Sequence, residues 1–567
     1  MTGGAGPSRR SVLGASLAAA LAPLGCTRSD ASSFAGGWVG ASHERGHLVR
    51  AGASAARSGA APRIDVTRRV GAIVVGGGVA GLAAARALRA AGVDDSHVLE
   101  LEDGAGGNSR GHTMAGMRCP LGAHYLPVPG EGAVEVVRLL DELGVRKLVD
   151  GRAVYDERVL CHSPQERLFI AGGWRDGLLP PVEALPAAER ATTLAQYRVF
   201  SKAVGTAGEG AAFAIPTARS HWSESVAVLD RMTFASWLDG RGLTAPALRW
   251  YLDYCCRDDY GAGAAQVSAW AGLHYFASRH GFRAPGDDSR GNVGNSGNTS
   301  DDGVLTWPQG NAWLAERLAT PLGDRLHGGR VVVAVEEGRG EVVVDAIDAA
   351  TQRRERWIAP HVVLATPLFV AARLLTAPPP ALAEAVRAMR HAPWLVANLQ
   401  LDAALDDVPG APLSWDNVVY GSVGLGYVDA MHQTLRPFAG ATVLTAYWAL
   451  GGADAEELAA NRQRLLADDW RSWAGRVVAD LAAAHPDLPA KVRRADLMRY
   501  GHAMSVPVPG VRSSAALAAL AGPQKRVHFA HADLSAYSVF EEALFHGTRA
   551  GRAAAGTAAS VSASAST

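Results

Sequence analysis

A glycine-rich turn between an apolar strand and a helix is the most constraining feature of this sequence. Residues 72–75 (AIVV) form a β-branched run of the kind that a buried parallel strand needs. Gly76, Gly78 and Gly81 follow directly, in the spacing G-x-G-x-x-G. An Ala-rich amphipathic pattern then predicts a helix over residues 79–91. This order of strand, turn and helix is typical of a dinucleotide-binding fold.

Each part of this turn has a physical role in binding a pyrophosphate. Gly76 permits the tight turn off the strand, and Gly78 lets a phosphate approach the backbone because it has no Cβ atom. Gly81 lets the helix pack closely against the sheet. The helix begins at Val79 and Ala80, whose free N–H groups and positive dipole end favour an anion.

A second predicted strand, residues 98–100 (VLE), ends in the carboxylate of Glu100. A carboxylate at this place can accept hydrogen bonds from both ribose hydroxyls of an adenosine. The glycine spacing alone is weak evidence in a chain with 64 glycines, and a turn without a ligand is the alternative. On these residues the dinucleotide is either NAD or FAD.

Two motifs at opposite ends of the chain resemble the flavin amine oxidase and phytoene desaturase superfamily. Gly106 and Gly107 follow the acid at the superfamily's spacing. Residues 527–534 (VHFAHADL) and 541–547 (EEALFHG) resemble its closing motif, a strand, an acid and then a helix that begins with Glu. This resemblance implies FAD as the cofactor.

The resemblance also implies roles for particular residues. Asp533 would bind the ribityl chain of the flavin, and the backbone near Val539 and Phe540 would face its pyrimidine ring, where a helix N-terminus stabilises negative charge. Val332 would contact adenine through its backbone. Asn108 stands where the superfamily has an Arg after the glycine pair, and Arg110 comes two residues later.

The implied fold is α/β, a Rossmann-like FAD-binding domain with an inserted α+β substrate domain. We assign the cofactor domain to residues 67–150, 306–378 and 506–555, and the substrate domain to residues 151–305 and 379–505. Residues 27–66 are rich in Ala, Gly, Ser and Arg without clear periodicity, which predicts a disordered linker. A disordered tail is predicted over residues 556–567.

Composition narrows the class of protein. The chain has 567 residues, 48% of them hydrophobic, which suffices for two or three folding units. Its formal net charge is zero, so nothing points to nucleic acid as a partner. No apolar stretch after the N-terminus is long enough to span a membrane. The five cysteines are too scattered for a disulfide framework or a zinc site, and we expect no metal.

The N-terminus carries a targeting pattern. Residues 8–13 (SRRSVL), with Arg9 and Arg10, precede the short apolar stretch 12–24 and resemble a twin-arginine signal over residues 1–26. An ordinary basic leader is the alternative. The twin-arginine machinery exports folded proteins, which suits a chain that binds FAD before export, so we expect a periplasmic or extracellular location. Leu24-Gly25-Cys26 leaves a lipid anchor at Cys26 open, although Pro23 departs from the usual pattern.

The catalytic residues are harder to predict. His124 lies in a segment that would pass beside the flavin. Trp270 and His274 are four residues apart and would share one helix face, either lining a pocket or packing in an aromatic core. His502 is a further candidate. The strand after residue 390 lacks the lysine that many amine oxidases of the superfamily carry there.

Three functions remain open on the sequence. The first is an FAD-dependent oxidoreductase that removes hydride from a small organic substrate, an amine or an amino acid. The second is a desaturase or isomerase of a lipophilic substrate. The third is an exported flavin-binding protein for electron transfer. Peroxide release would favour the first, a requirement for lipid the second, and a flavin that no small molecule reduces the third.

Overall fold

The computed structural model describes residues 34–57, 63–130, 132–208, 212–279, 281–286, 303–436 and 439–564. The predicted twin-arginine segment, Cys26 and most of the polar loop around residues 287–302 lie outside the described residues. Among the helices that are described, none combines the length and apolar character that a membrane span requires.

The strands of the described residues are, in chain order, β1 (Ala35–Trp38), β2 (Val66–Arg69), β3 (Ala72–Val75), β4 (Ser96–Leu99), β5 (Gly111–Met114), β6 (Met117–Pro120), β7 (Tyr125–Pro127), β8 (Arg146–Val149), β9 (Arg152–Tyr155), β10 (Glu166–Ile170), β11 (Gly173–Asp176), β12 (Val304–Thr306), β13 (Leu326–His327), β14 (Arg330–Glu337), β15 (Val342–Asp348), β16 (Arg354–Ala359), β17 (Val362–Leu364), β18 (Arg390–Leu401), β19 (Asp416–Val419), β20 (Tyr427–Asp429), β21 (Thr442–Ala449), β22 (Val492–Val506) and β23 (Val527–Phe529).

The α-helices of the same ranges are α1 (His43–Arg57), α2 (Val79–Ala90), α3 (Val134–Glu142), α4 (Ala187–Gly208), α5 (Glu224–Asp230), α6 (Phe234–Asp239), α7 (Pro246–Tyr260), α8 (Ala269–Ala277), α9 (Ala312–Ala319), α10 (Leu368–Leu374), α11 (Pro380–Ala388), α12 (Ala455–Ala467), α13 (Trp470–Ala482), α14 (Leu488–Lys491), α15 (Ala515–Ala521) and α16 (Phe540–Ser564).

A parallel sheet in the order β13-β4-β3-β17-β23 forms the centre of the cofactor domain. Every residue of β3 is buried, as its β-branched run predicts for a central strand. The strands come from residues 72–99, 326–364 and 527–529, which fall within the three segments that the sequence assigns to this domain. A second sheet, β14-β15-β16-β2, packs beside it through a shared apolar cluster.

The first and last helices of the cofactor domain pack together without intervening side chains. A Cβ atom at Gly547 of α16 would lie 2.1 Å from the carbonyl oxygen of Ala80, and one at Gly551 would lie 2.4 Å from that of Ala84. Because glycine allows this approach, α16 lies along α2 and both helices begin at the same end of the parallel sheet.

The substrate domain contains a mixed sheet in the order β1-β22-β18-β21-β20-β19-β10-β11. Its long central strands β18 and β22 pair antiparallel from Arg390↔Val506 to Leu401↔Val492. Helices α4 to α8 form an aromatic-rich cluster beside it. Helices α12 and α13 are separate, because the side chain of Asp469 caps a new helix by accepting from the N–H groups of Arg471 and Ser472.

Two predicted disordered segments contain regular structure. Within residues 27–66, which the sequence assigns to a linker, β1 pairs parallel with β22 and α1 packs on β14 and α10. Tertiary pairing supplies the stability that the composition of this segment does not suggest. At the other end α16 continues to Ser564, so the predicted tail over residues 556–567 is helical over most of its length.

Candidate active site

Two adjoining cavities lie between the parallel sheet and the mixed sheet. The larger, here called the cofactor cavity, leaves about 1310 Å³ that no protein atom fills, part of it open to solvent. The smaller, here called the substrate cavity, leaves about 840 Å³. Both are lined by the same six residues where they meet: Asn108, Ala123, Ala503, Ser538, Val539 and Phe540.

The glycine-rich turn forms one wall of the cofactor cavity. Gly76 has a φ of +101°, and Gly107, which approaches from the facing loop, has a φ of +58°. A Cβ atom at Gly78 would have only the Cα atom of Gly107 within 4 Å, at 3.7 Å, so the space in front of it is open. Helix α2 begins here without a side-chain cap, which leaves the N–H groups of Val79 and Ala80 for a ligand.

Two of the predicted cofactor residues do not line this cavity. A Cβ atom at Gly81 would lie 1.8 Å from the carbonyl oxygen of Gly76, so Gly81 serves the packing of helix on strand. Arg110 does not line the cavity either, and its Nε donates to the carbonyl oxygen of Gly107 at 3.1 Å, so its phosphate contact stays a prediction. Asn108 does line the cavity, and its side-chain amide donates to the carbonyl oxygen of Ala503 at 2.7 Å.

Glu100 lines the cofactor cavity but not the substrate cavity, as do Val332 and Leu101. Its Oε2 accepts from the N–H of Gly77 at 2.6 Å and its Oε1 from the N–H of Glu102 at 2.9 Å. Burial raises the pKa of Glu100, and these two backbone hydrogen bonds oppose the rise. Each oxygen keeps a second lone pair for a ribose hydroxyl.

Asp533 also lines the cofactor cavity, but its carboxylate is tied to protein groups. It accepts from the N–H of Leu368 at 2.9 Å and pairs with Nε2 of His391 at 3.0 Å. Burial would raise the pKa of Asp533, but the rings of His391 and His531 hold it well below its usual value. The direct ribityl contact stays a prediction, and the structure adds His391 to the wall of the cavity.

The donors around the cofactor cavity suit a flavin dinucleotide. Helices α2 and α16 both begin at it, so two positive helix ends face the same space. Val539 and Phe540, just before and at the start of α16, line both cavities, where a reduced ring would carry negative charge. Together with the glycine cradle and Glu100, these groups fit FAD.

The substrate cavity has an aromatic wall. The ring of His124 stacks on that of Tyr447 with centroids 4.5 Å apart and contacts Tyr125 at 4.9 Å. Burial lowers the pKa of His124 to about 3, so the ring is neutral at physiological pH. His124 therefore lines the cavity as predicted, but as an aromatic surface. Trp394 and Met504 continue the apolar wall.

The other predicted catalytic residues lie elsewhere. His502 lines the cofactor cavity, and burial lowers its pKa to about 3. Trp270 and His274 share a helix face as predicted, but neither lines either cavity, which corrects their assignment to the site. Their face packs into the core, where Trp270 stacks on Phe213 and Nε2 of His274 bonds to the carbonyl oxygen of Ala214 at 3.0 Å.

Carboxyl groups are the strongest chemical feature of the substrate cavity. Asp258, on α7, and Glu541, in the first turn of α16, both line it. Burial raises the pKa of each to about 7. Neither carboxyl has an ion-pair partner within the described residues, and only the backbone N–H of Glu541 itself bonds to the Glu541 carboxyl.

A third acid in this wall, Asp259, is fully paired. Nη1 and Nη2 of Arg279 donate to its two oxygens at 3.2 and 3.0 Å, and the hydroxyl of Tyr537 donates to Oδ2 at 2.7 Å. Arg279 is the single Arg or Lys among the described residues that line the cavity. Arg257, which directly precedes Asp258 and Asp259 in the sequence, binds Asp253.

Sequence reasoning missed several residues of the site. Glu541 belongs to the closing motif, but that motif drew attention only to the backbone at the start of the helix. Asp258 is followed by a second acid, Asp259, and two adjacent acids in a sequence usually indicate an exposed surface. Val49 lies in the segment predicted as a linker, yet it lines the cofactor cavity. No local pattern distinguishes any of the three.

The fold and the two cavities define a flavin-dependent oxidoreductase. A sequence model of the flavin-containing amine oxidoreductase family matches residues 79–555, most of the chain. The chain belongs to this family, and it is an FAD-dependent oxidoreductase of the amine oxidase type. A comparison with curated protein sequences found no significant match.

Solved structures share the fold. Cyclohexylamine oxidase from Brevibacterium oxydans is 20% identical with a TM-score of 0.61, covering 87% of this chain and 99% of its own. Putrescine oxidase bound to putrescine is 18% identical with a TM-score of 0.58, and the match covers 88% of this chain and 100% of the putrescine oxidase chain. A fatty acid isomerase from P. acnes that produces CLA is 15% identical with a TM-score of 0.55, covering 84% and 97%.

Proposed function

We propose that this protein oxidises a small amine that carries two cationic groups, with FAD as the hydride acceptor. The observation that carries the proposal is the pair of carboxyls, Asp258 and Glu541, that line the substrate cavity without an ion-pair partner among the described residues. An ammonium group supplies the missing charge, and the aromatic wall around His124 and Tyr447 favours a cation as well.

The same cavity disfavours an amino acid substrate. A substrate carboxylate needs a free cationic partner, and Arg279 is already committed to both oxygens of Asp259. A carboxylate would also lie near Asp258 and Glu541, which repel it. Among the two substrates that the sequence left open for an oxidase, the amine therefore fits and the amino acid does not.

Buried acids also argue against a lipophilic substrate. Packing an alkyl chain against Asp258 and Glu541 would desolvate both groups without giving either a partner. A purely electron-transferring role leaves the substrate cavity unexplained, since that function needs only the cofactor cavity. Both alternatives from the sequence thus lose support.

The two carboxyls define two charge-binding positions for the substrate. Glu541 follows Ser538, Val539 and Phe540, which line both cavities, so Glu541 stands on the cofactor side. Asp258 lies on α7, and burial together with the charges of Asp258 and Glu166 raises the pKa of Asp416 well above its usual value. Glu166 is the register partner of Asp416 across β10 and β19 and joins this group.

Each of the two charge-binding positions has its own role in the reaction. Hydride leaves a carbon beside a neutral amine more readily than one beside an ammonium, so the reacting nitrogen must lose a proton. Glu541, with a pKa of about 7, accepts that proton on the cofactor side. Asp258 holds the second ammonium and positions the carbon between the aromatic rings. FAD, when bound, takes the hydride.

We also propose that the protein works outside the cytoplasm. Arg9 and Arg10, before an apolar stretch, support recognition by the twin-arginine machinery. Replacing both by Lys keeps the charge but removes the signal. We expect the variant to stay in the cytoplasm with bound flavin, as measured by fractionation. Equal export of the variant and the original chain would refute the twin-arginine route, and retention of both in the cytoplasm would refute the location.

An anaerobic titration tests the reaction. Purified holoenzyme is mixed with straight-chain diamines, the monoamines of equal length and the corresponding amino acids, and flavin reduction is followed by absorbance. We expect diamines to bleach the flavin at the lowest concentrations, monoamines at higher ones, and amino acids not at all. Reduction by amino acids alone would overturn the proposal. Reduction by monoamines as readily as by diamines would show that the second charge-binding position, at Asp258, does not act on the substrate.

A further inference from the structure

We infer that the N-terminal segment, residues 34–57, completes the FAD-binding site and holds the cofactor in place. This segment lies wholly before the part of the chain that matches the family, residues 79–555. Nothing in the glycine-rich turn or the closing motif involves it. Three sets of contacts carry the inference: one to the wall of the cofactor cavity, one to the loop after Glu100, and one to the mixed sheet.

The first contact places α1 in the wall of the cofactor cavity. Val49 lines the cavity together with Leu101, Val332 and Leu374, at the end marked by Glu100. Helix α1 packs on β14 and α10, the elements that carry two of these residues. Without α1 the apolar side chains at this end would face solvent.

Helix α1 fits β14 at an irregular point of the strand. A register shift between Val332 and Ala334 marks a bulge at Val333. Gly52 of α1 lies over this bulge, where a Cβ atom would be 2.5 Å from Cγ1 of Val333. The glycine and the bulge together bring the helix close to the strand beside the cavity.

The second contact ties the start of α1 to the loop after the ribose-binding acid. Arg45 donates from Nη1 to the carbonyl oxygen of Leu101 at 3.0 Å and from Nη2 to Asp103 at 2.7 Å. The N–H of Ser42 donates to Oε1 of Glu102 at 2.9 Å. Glu102 in turn donates its backbone N–H to Glu100. The segment thus reinforces the residues that position the ribose acceptor.

The third contact anchors the segment on the other domain. Strand β1 pairs parallel with β22 from Ala35↔Arg494 to Trp38↔Leu497, and the N–H of Val39 extends the pairing to the carbonyl oxygen of Leu497. The ring of Trp38 lies under the guanidinium of Arg499 at 4.6 Å. One short segment therefore spans from the substrate domain to the adenosine end of the cofactor cavity.

This arrangement predicts slow loss of the cofactor. FAD that leaves from the adenosine end must first displace α1, so the segment acts on the dissociation rate more than on initial binding. The reason for such a device rests on the proposed export: a flavoprotein loaded in the cytoplasm has no supply of FAD to replace a lost molecule afterwards. The retention itself does not depend on the substrate or on the location.

Flavin release from the full-length holoenzyme tests the inference. Arg45→Ala removes the tie to Leu101 and Asp103, and Val49→Ala opens the wall. Arg50→Ala is the matched control, because Arg50 is an exposed residue of the same helix. Each protein is diluted into an excess of an apoflavoprotein that captures FAD, and release is followed by the change in flavin fluorescence.

We expect release about five- to tenfold faster in Arg45→Ala and Val49→Ala than in the original chain, and unchanged in Arg50→Ala. Equal release rates in all four proteins would overturn the inference. If a variant fails to fold, hydrogen exchange on the original protein is measured instead. Amides of α1 should then be more protected from exchange when FAD is bound than after FAD has been removed. Equal protection in the two states would likewise refute it.

Discussion

Arg279 donates to both oxygens of Asp259 in the wall of the substrate cavity, at 3.2 and 3.0 Å. The pair is nearly buried, with side-chain exposures of 10% and 5%. Because the guanidinium is neutralised from within the protein, the net charge that a substrate meets there comes from Asp258 and Glu541. The proposed selectivity for amines thus depends on an ion pair that does not itself need to touch the substrate.

Breaking this pair should change selectivity. Asp259→Asn leaves the guanidinium of Arg279 without its counter-charge, so we expect the KM for diamines to rise about tenfold and carboxylate-bearing amines to begin to bind. Tyr537→Phe removes a hydroxyl from the same network but keeps every charge, and it should leave the preference unchanged. Steady-state kinetics with both substrate classes measure the effect, and an unaltered diamine KM in Asp259→Asn would contradict it.

Removing the distal carboxyl should affect diamines alone. Asp258→Asn deletes the charge that holds the second ammonium, so we expect the KM for diamines to rise about 10- to 100-fold and the KM for monoamines to change little. Asp253→Asn is the control, because Asp253 lies on the same helix but binds Arg257 outside the cavity. A parallel loss for diamines and monoamines would show that Asp258 does not distinguish them.

The same carboxyl should make the ligand-free protein less stable as pH rises toward neutrality. Burial raises the folded-state pKa of Asp258 to about 7, so between its ordinary value and 7 the folded protein holds a proton that the unfolded chain has lost. The free energy of unfolding therefore falls as pH rises through this interval. We expect the stability advantage of Asp258→Asn over the original chain to be about 1–3 kcal/mol larger at pH 8 than at pH 5. Denaturant titrations at both pH values decide this.

Amine binding should become stronger as pH rises, whereas the stability of the ligand-free protein decreases. Asp258 and Glu541, with pKa values near 7, gain charge as pH rises through neutrality, and each charged form attracts an ammonium. We expect kcat/KM for diamines to increase through about pH 7 and to level off above it. In Glu541→Gln, kcat should fall at every pH, because the proton acceptor is lost. A profile that is flat from pH 6 to 8 would exclude both carboxyls from the step.

Substitutions at Gly78 and Gly81, which are three residues apart, should cause two different defects. Gly78→Val fills the open space in front of the turn and should yield folded protein without flavin absorbance, since a Cβ atom there meets only Gly107 at 3.7 Å. Gly81→Ala places a Cβ atom 1.8 Å from Gly76 and should lower stability itself, by about 1–3 kcal/mol. Flavin content and thermal unfolding of both variants separate a binding defect from a packing defect.

The cofactor cavity could be predicted from the sequence because its central signals are local. Strand β3, the turn at Gly76 and helix α2 are consecutive, so a short window specifies their geometry. The substrate cavity could not, because its acids come from α7 and the start of α16, which only the tertiary fold brings together. Trp270 and His274 show the limit: their common face was predictable, but whether it meets a cavity or the core was not.

The N-terminal segment illustrates a second limit. Strand β1 has the sequence AGGW, which carries little intrinsic preference for a strand, and its pairing with β22 supplies the missing hydrogen bonds. Helix α1 contains two glycines, one of which fits the bulge at Val333. Features that weaken a local prediction are here what allows close packing.

The contact of Gly547 and Gly551 with Ala80 and Ala84 has a consequence in time. A ribosome synthesises α2 long before the helix that covers it, α16. The core of the cofactor domain therefore cannot form completely until α16 has been synthesised, and FAD binds only when segments from both sides of the substrate domain have come together. Flavin capture then reports that these distant segments have assembled.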